Sequence, residues 1–152
     1  PVFLCDKAGL FVAVIHAGWR GLLNGIVQNT LLQLGGDSQQ ILAYLGPAIS
    51  QSAFEIGEDV RSAFVQQDSF HSTFFVPASS LASTSLTHQN KWMADLYGIA
   101  RYTLFKVGVS DVFGGDHCTY TDSERFFSYR RDGITGRMAN LIWIETLPNL
   151  LT

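Results

Sequence analysis

Leu10-Phe11-Val12-Ala13-Val14-Ile15-His16-Ala17-Gly18-Trp19-Arg20-Gly21 is the stretch on which the reading of this chain turns. Its first six residues form an unbroken apolar run, the pattern of a buried strand. Beyond Gly21, the residues Leu22 to Leu32 have helical spacing, and Gly35-Gly36 supplies a C-terminal stop. A histidine, two glycines and an arginine therefore stand where a strand hands over to a helix. Helix starts leave N–H groups unpaired and favour an anion, and an imidazole beside them can bind a metal or move a proton. A core histidine with a surface arginine would produce the same letters, so the neighbouring segments have to decide.

Working outward, Pro1 to Leu4 and Leu10 to Ile15 read as a hairpin turned at Asp6-Lys7-Ala8-Gly9. Ile41 to Leu45 is a short buried strand ended by Gly46-Pro47, and Glu58 to Gln67 has helical spacing at Val60, Phe64 and Val65. Residues 69 to 90 are rich in Ser and Thr and read as an irregular excursion. Trp92 to Val107 reads as a second helix ended by Gly108, and Val109 to Phe113 as a strand. Phe126 to Arg130 and Met138 to Ile144 read as two further strands. Strands and helices mix without strict alternation, which predicts an α+β (mixed α/β) domain of mixed sheets layered with helices. It is expected to span residues 1–146, followed by a poorly ordered tail at 147–152.

With 47% hydrophobic and 15% charged residues, the 152-residue chain can bury a real core. A net charge of -3 argues against a nucleic-acid binder held by a basic field. No apolar stretch reaches the length of a membrane span. Cys5 and Cys118 do not make a secretory disulfide framework, so a cytoplasmic protein with free thiols is the simpler expectation. The chain opens inside an apolar run without a methionine, and is read as lacking its N-terminal part.

Three segments are denser in polar and glycine residues than packing requires. The first is His16 to Gly21. In the second, Gly114 to Tyr120, a carboxylate, an imidazole and a thiol are adjacent at Asp116-His117-Cys118. Neighbours in extended backbone point to opposite faces, so His117 and Cys118 are not expected to ligate one metal together. Cys118 is either a buried structural thiol or a nucleophile. The third segment, Ser128 to Arg137, places Arg130, Arg131 and Arg137 within eight residues, in a chain with ten Lys plus Arg. Guanidinium groups read phosphate and carboxylate bidentately, so this cluster suits an anionic ligand or an ion-pair network. Glu55, in Phe54-Glu55-Ile56-Gly57, is a further candidate as base or orienting carboxylate.

These segments occur in an order that resembles a known family. His-Ala-Gly-Trp-Arg-Gly (16–21), Leu-Gly-Pro-Ala-Ile (45–49), Phe-Glu-Ile-Gly (54–57), Phe-Gly-Gly-Asp-His-Cys-Thr-Tyr (113–120), Phe-Phe-Ser-Tyr-Arg-Arg-Asp-Gly (126–133) and Thr-Gly-Arg-Met-Ala (135–139) are similar to the YfiH family. That family is also called the laccase-domain or polyphenol-oxidase family, and the chain resembles its C-terminal portion. The resemblance implies purine nucleoside phosphorolysis, acting on adenosine, inosine, guanosine and methylthioadenosine, together with adenosine deamination. It implies one metal, zinc or alternatively copper, held by two histidines and a cysteine. His16 matches one of those histidines; neither Cys5 nor Cys118 matches the cysteine, which the family carries further upstream. The implied partners are a purine nucleoside and phosphate. From their own chemistry, Arg20, Arg130, Arg131 and Arg137 are the phosphate candidates, in no firm order, and Phe54 or Tyr129 suits stacking on the base.

Four histidines cannot supply a multicopper cluster, so laccase chemistry in the literal sense is not expected. Two competing readings remain: a thiol hydrolase or oxidoreductase using Cys118, with His16 or His117 as base, and a non-catalytic binding module.

Overall fold

The computed structural model describes residues 1–78 and 90–145. Its first sheet is built on the hairpin: β1 (Val2–Asp6) pairs antiparallel with β2 (Val12–Ile15) and, on its other side, with β3 (Ile41–Leu45). The Asp6 carboxylate makes the turn, accepting the Ala8 N–H at 2.9 Å and the Leu10 N–H at 3.2 Å. Gly9, at φ 72°, takes the left-handed conformation the turn needs. β7 (Asp111–Gly114) then joins β3 in parallel, giving the strand order β2-β1-β3-β7.

Alternation along these strands sends Val2, Leu4, Ile41, Ala43 and Leu45 into the core. Leu22, Val27, Leu31, Ile99 and Leu104 from the helices join them in one hydrophobic cluster. The opposite face carries Phe3, Val14, Tyr44 and Phe113 side by side, with Tyr44 48% and Phe113 57% exposed. β2 is consequently a half-covered edge strand, not the buried strand its apolar run predicts. Among the described residues it lies at the sheet's margin, where only β1 pairs with it.

The expected helix after Gly21 is two helices, α1 (Trp19–Leu23) and α2 (Ile26–Leu34). Asn24-Gly25 breaks them, with Gly25 left-handed at φ 75°. A second sheet has the order β4-β6-β5, formed by β4 (Glu55–Gly57), β5 (Phe75–Pro77) and β6 (Lys91–Ala94). Against it packs α3 (Glu58–Gln67), which carries Glu58 and Asp59 in its first turn, where the helix dipole favours them. Part of the expected irregular excursion is ordered as a 3-10 stretch (Ser69–Phe74) and β5. The remainder of it, residues 79–89, lies outside the described residues, as does the tail expected at 147–152.

Trp92 to Val107 is not one helix. Its first residues form β6, the central strand of the second sheet, and α4 (Leu96–Lys106) begins only after Asp95, whose carboxylate caps the Gly98 N–H at 2.9 Å. Neither Phe126–Arg130 nor Met138–Ile144 is a strand. The first contributes to a single helical turn, α5 (Tyr129–Asp132). The second ends in the apolar run Leu141 to Ile144, but no neighbouring strand among the described residues accepts its ladder.

Candidate active-site cleft

His16 follows the last residue of β2, and its exposed ring stands over Gly18, the N-cap of α1. A Cβ at Gly18 would lie 2.9 Å from His16 Nε2, so the imidazole holds its position only because residue 18 has no side chain. Gly21 plays a milder version of this role: its Cβ would lie 3.1 Å from the His16 carbonyl. The helix-dipole argument for this junction is weaker than its sequence suggests. α1 has five residues and ends at the Gly25 break, leaving little aligned backbone to attract an anion.

The ring opens onto a cavity of about 490 Å³. Trp19, Phe54, Phe127, Tyr129 and Arg137 stand around it with His16, so residues distant in sequence converge there. A smaller lobe of about 300 Å³ adjoins it across Phe54, Phe127 and Tyr129, and Arg130 and Ser128 stand at that lobe. Three devices shape the cleft. Tyr97 Oη accepts the Ala48 N–H at 2.8 Å and donates to the His117 carbonyl at 2.6 Å, tying two wall loops together. Thr119 N–H closes the same junction on the Ala48 carbonyl at 2.9 Å. The third is Gly136, where an added Cβ would come within 2.6 Å of the Phe127 ring, so the ring lies flat against bare backbone.

The four arginine candidates do different work. Arg137 lines the main cavity and steadies itself on the Thr135 and Gly136 carbonyls. Arg130 stands at the smaller lobe. Arg20 lies over the Trp19 ring, 4.4 Å from its centroid, and lines neither lobe. Arg131 spends every donor internally: Nη1 on the Thr119 and Tyr120 carbonyls, Nη2 on the Phe126 carbonyl and Asp132, and Nε on Asp132. A guanidinium has five N–H groups, so none is left for a phosphate. Glu55 sits in β4 opposite Met93, outside both lobes, and its carbonyl receives Arg130 at 2.8 Å.

Cys118 is half-buried behind the wall loops and does not line the cavity. Burial alone would push its thiol up, but hydrogen bonds from Ser50 and Thr121 outweigh it and bring the pKa down to about 6. Ser50 Oγ lies 3.0 Å from the sulfur and Ser50 N 3.4 Å. His117 instead faces Arg125 and Phe126, so the adjacent imidazole and thiol do not converge. Cys118 alkylation by iodoacetamide should therefore accelerate as pH rises through about 6 and level off above it. The anion's contribution to stability has the matching sign: it is lost as pH falls through about 6. In Ser50→Ala the alkylation midpoint should move upward; an unmoved midpoint would refute the role given to the serine.

Tyr97, Phe127, Gly136 and Ser50 were not legible as site residues. Tyr97 and Ser50 act through partners far away in sequence, and Phe127 and Gly136 through each other. The metal implied by the resemblance meets a plain test. Among the described residues no group of three His, Cys, Asp or Glu side chains could hold an ion. His16 offers one accessible donor, and the residues present do not by themselves form a metal site.

The family model described as multi-copper polyphenol oxidoreductase laccase matches residues 1–145. The chain belongs to this laccase-type, YfiH-like family. Its relatives include "Purine nucleoside phosphorylase YfiH" of Shigella flexneri, 48% identical over 144 residues, which cover 95% of this chain and 55% of the relative. "Purine nucleoside phosphorylase PA4543" of Pseudomonas aeruginosa is 43% identical, over 95% of this chain and 57% of its own length. The chain thus spans little more than half the length of these curated relatives. Among solved structures, Neisseria meningitidis protein NMB0706 is 46% identical with a TM-score of 0.77, over 87% of this chain and 51% of that one. YlmD from Geobacillus stearothermophilus, at 24% identity and a TM-score of 0.70 over 88% of this chain and 48% of that one, shares the fold. The mixed α+β architecture is that of the family. Among the described residues, no helix is long and apolar enough to cross a membrane.

Proposed function

We propose that the cleft binds a purine nucleoside and inorganic phosphate, and that the protein acts as a purine nucleoside phosphorylase. The observation that carries this reading is the convergence of His16, Arg137 and the rings of Phe54, Phe127 and Tyr129 on one cavity, in a chain whose relatives bear that enzyme name. An aromatic-walled cleft with few polar groups suits a flat heterocycle. In the reaction, a phosphate oxygen forms a bond to the anomeric carbon as the glycosidic C–N bond breaks. The bonding pair leaves with the purine nitrogen, and the proton lost by hydrogen phosphate ends on the purine.

This chain's residues hold and orient the two substrates. Phe54 or Tyr129 stacks on the base, Arg137 faces the anionic or sugar oxygens, and His16 is placed at the cavity to hold or move a proton. Zinc dependence, with copper as the alternative, and a second activity as adenosine deaminase rest on the family resemblance; His16 contributes one donor toward them. A cytoplasmic location rests on the two free thiols.

The test is release of free purine with ribose 1-phosphate from adenosine, inosine and guanosine, and with 5-methylthioribose 1-phosphate from methylthioadenosine. It is run with phosphate and zinc, in a polypeptide of the relatives' full length carrying these residues. His16→Ala should lower turnover by at least ~100-fold with the thermal midpoint unchanged. Full turnover in that variant would overturn the assignment.

A further inference from the structure

Two adjoining lobes with different linings imply different occupants. The larger, about 490 Å³, is walled mainly by aromatic and aliphatic groups. The smaller, about 300 Å³, has one guanidinium at its edge, that of Arg130, with Ser128 and Thr119 beside it. Arg130 is held from two sides without being used up. Its guanidinium carbon lies 5.4 Å from the Phe54 ring centroid, and Nη1 donates to the Glu55 carbonyl at 2.8 Å. Among the described residues no acceptor is assigned to its Nε–H or Nη2 groups. A guanidinium stacked on a ring and tethered at one end presents its remaining donors as a planar fork, the geometry that reads an oxyanion. The other three candidates differ: Arg131 is saturated internally, Arg20 lines neither lobe, and Arg137, tethered through Nη1 alone, stands at the larger lobe and not the smaller.

We propose that the smaller lobe is the seat of the phosphate co-substrate and that Arg130 is the side chain that binds it. Resting on the phosphorylase reading, this divides the cleft into a nucleoside lobe at His16 and Arg137 and an oxyanion lobe at Arg130. The shared wall of Phe54, Phe127 and Tyr129 keeps the two ligands in contact. Phosphate held there would stand against the sugar of a nucleoside in the larger lobe, from which its oxygen could attack the anomeric carbon.

The experiment has two arms. In the first, inorganic phosphate is titrated into the chain by calorimetry, with sulfate as competitor. Arg130→Gln should weaken phosphate binding at least ~10-fold, Arg130→Lys should restore part of it, and Arg20→Gln should leave it unchanged. Equal affinity in wild type and Arg130→Gln, or a loss in Arg20→Gln instead, would overturn the proposal. In the second arm, steady-state phosphorolysis in the full-length polypeptide should show the phosphate KM raised ~10-fold by Arg130→Gln, with the nucleoside KM within about twofold of wild type. Phosphate binding through Arg130 without phosphorolysis would support the seat and sink the phosphorylase reading. Phosphorolysis with an unaltered phosphate KM in Arg130→Gln would do the reverse.

Discussion

Gly18→Ala is expected to fold normally and to lose most of its activity. The backbone at Gly18 has φ −68° and ψ 168°, a conformation any residue adopts, so the new methyl group brings no torsional penalty. What it meets is His16 Nε2, 2.9 Å away, the far end of a side chain free to swing on an exposed surface. The ring moves, the fold does not. Displacing a reacting or ligating group by about 1 Å costs on the order of 100-fold in rate. Turnover should fall by that order while the thermal midpoint stays within about 2 °C of wild type. The imidazole resonances of His16 should also shift in an NMR spectrum, a readout independent of any assumed substrate. Wild-type turnover and unshifted resonances would show that the methyl group is accommodated without moving the ring.

Arg131→Ala should do the opposite, unfolding the wall before it touches the chemistry. Its guanidinium gathers the carbonyls of Thr119, Tyr120 and Phe126 and braces on Asp132, so one side chain closes the loop between residues 119 and 126. Without it three carbonyls lose their donors together and Asp132 loses its cationic partner, and the thermal midpoint is expected to drop by roughly 5–10 °C. Arg131→Lys should rescue little, because an ammonium offers three donors from a single point and cannot reproduce the fork. Proteolysis inside the 119–126 loop should rise in step. A midpoint within about 1 °C of wild type would refute the clamp.

Much of this architecture could be read from local pattern. The hairpin at Asp6 to Gly9, the strand at Ile41–Leu45 and the helix at Glu58–Gln67 form where turn chemistry and periodicity agree. Structure and local pattern part where long-range packing overrides periodicity. Trp92 and Met93 continue a helical stripe with Leu96, yet their backbone is claimed by β4 and β5 on either side. Asp95 was the available signal, an N-cap residue inside the supposed helix. Gly25 likewise marked the break between α1 and α2. At the site, the motif around His16 was legible because it is contiguous. The arginines could be named but not sorted, since saturation of Arg131 depends on how the preceding loop, with the carbonyls of Thr119, Tyr120 and Phe126, comes to rest.

The parallel pairing of β3 with β7 bears on how the protein reaches this state. It joins residues as far apart as Leu42 and Asp111, and the bridge between Ala48 and Cys118 lies just beyond it. Chain entropy for so long a closure must be lost before the contacts repay it. The β1–β2 hairpin can form early, bringing His16 to its place beside α1, whereas the wall opposite waits for the last long-range strand to dock. A nascent chain would therefore carry its histidine long before it had a cleft around it.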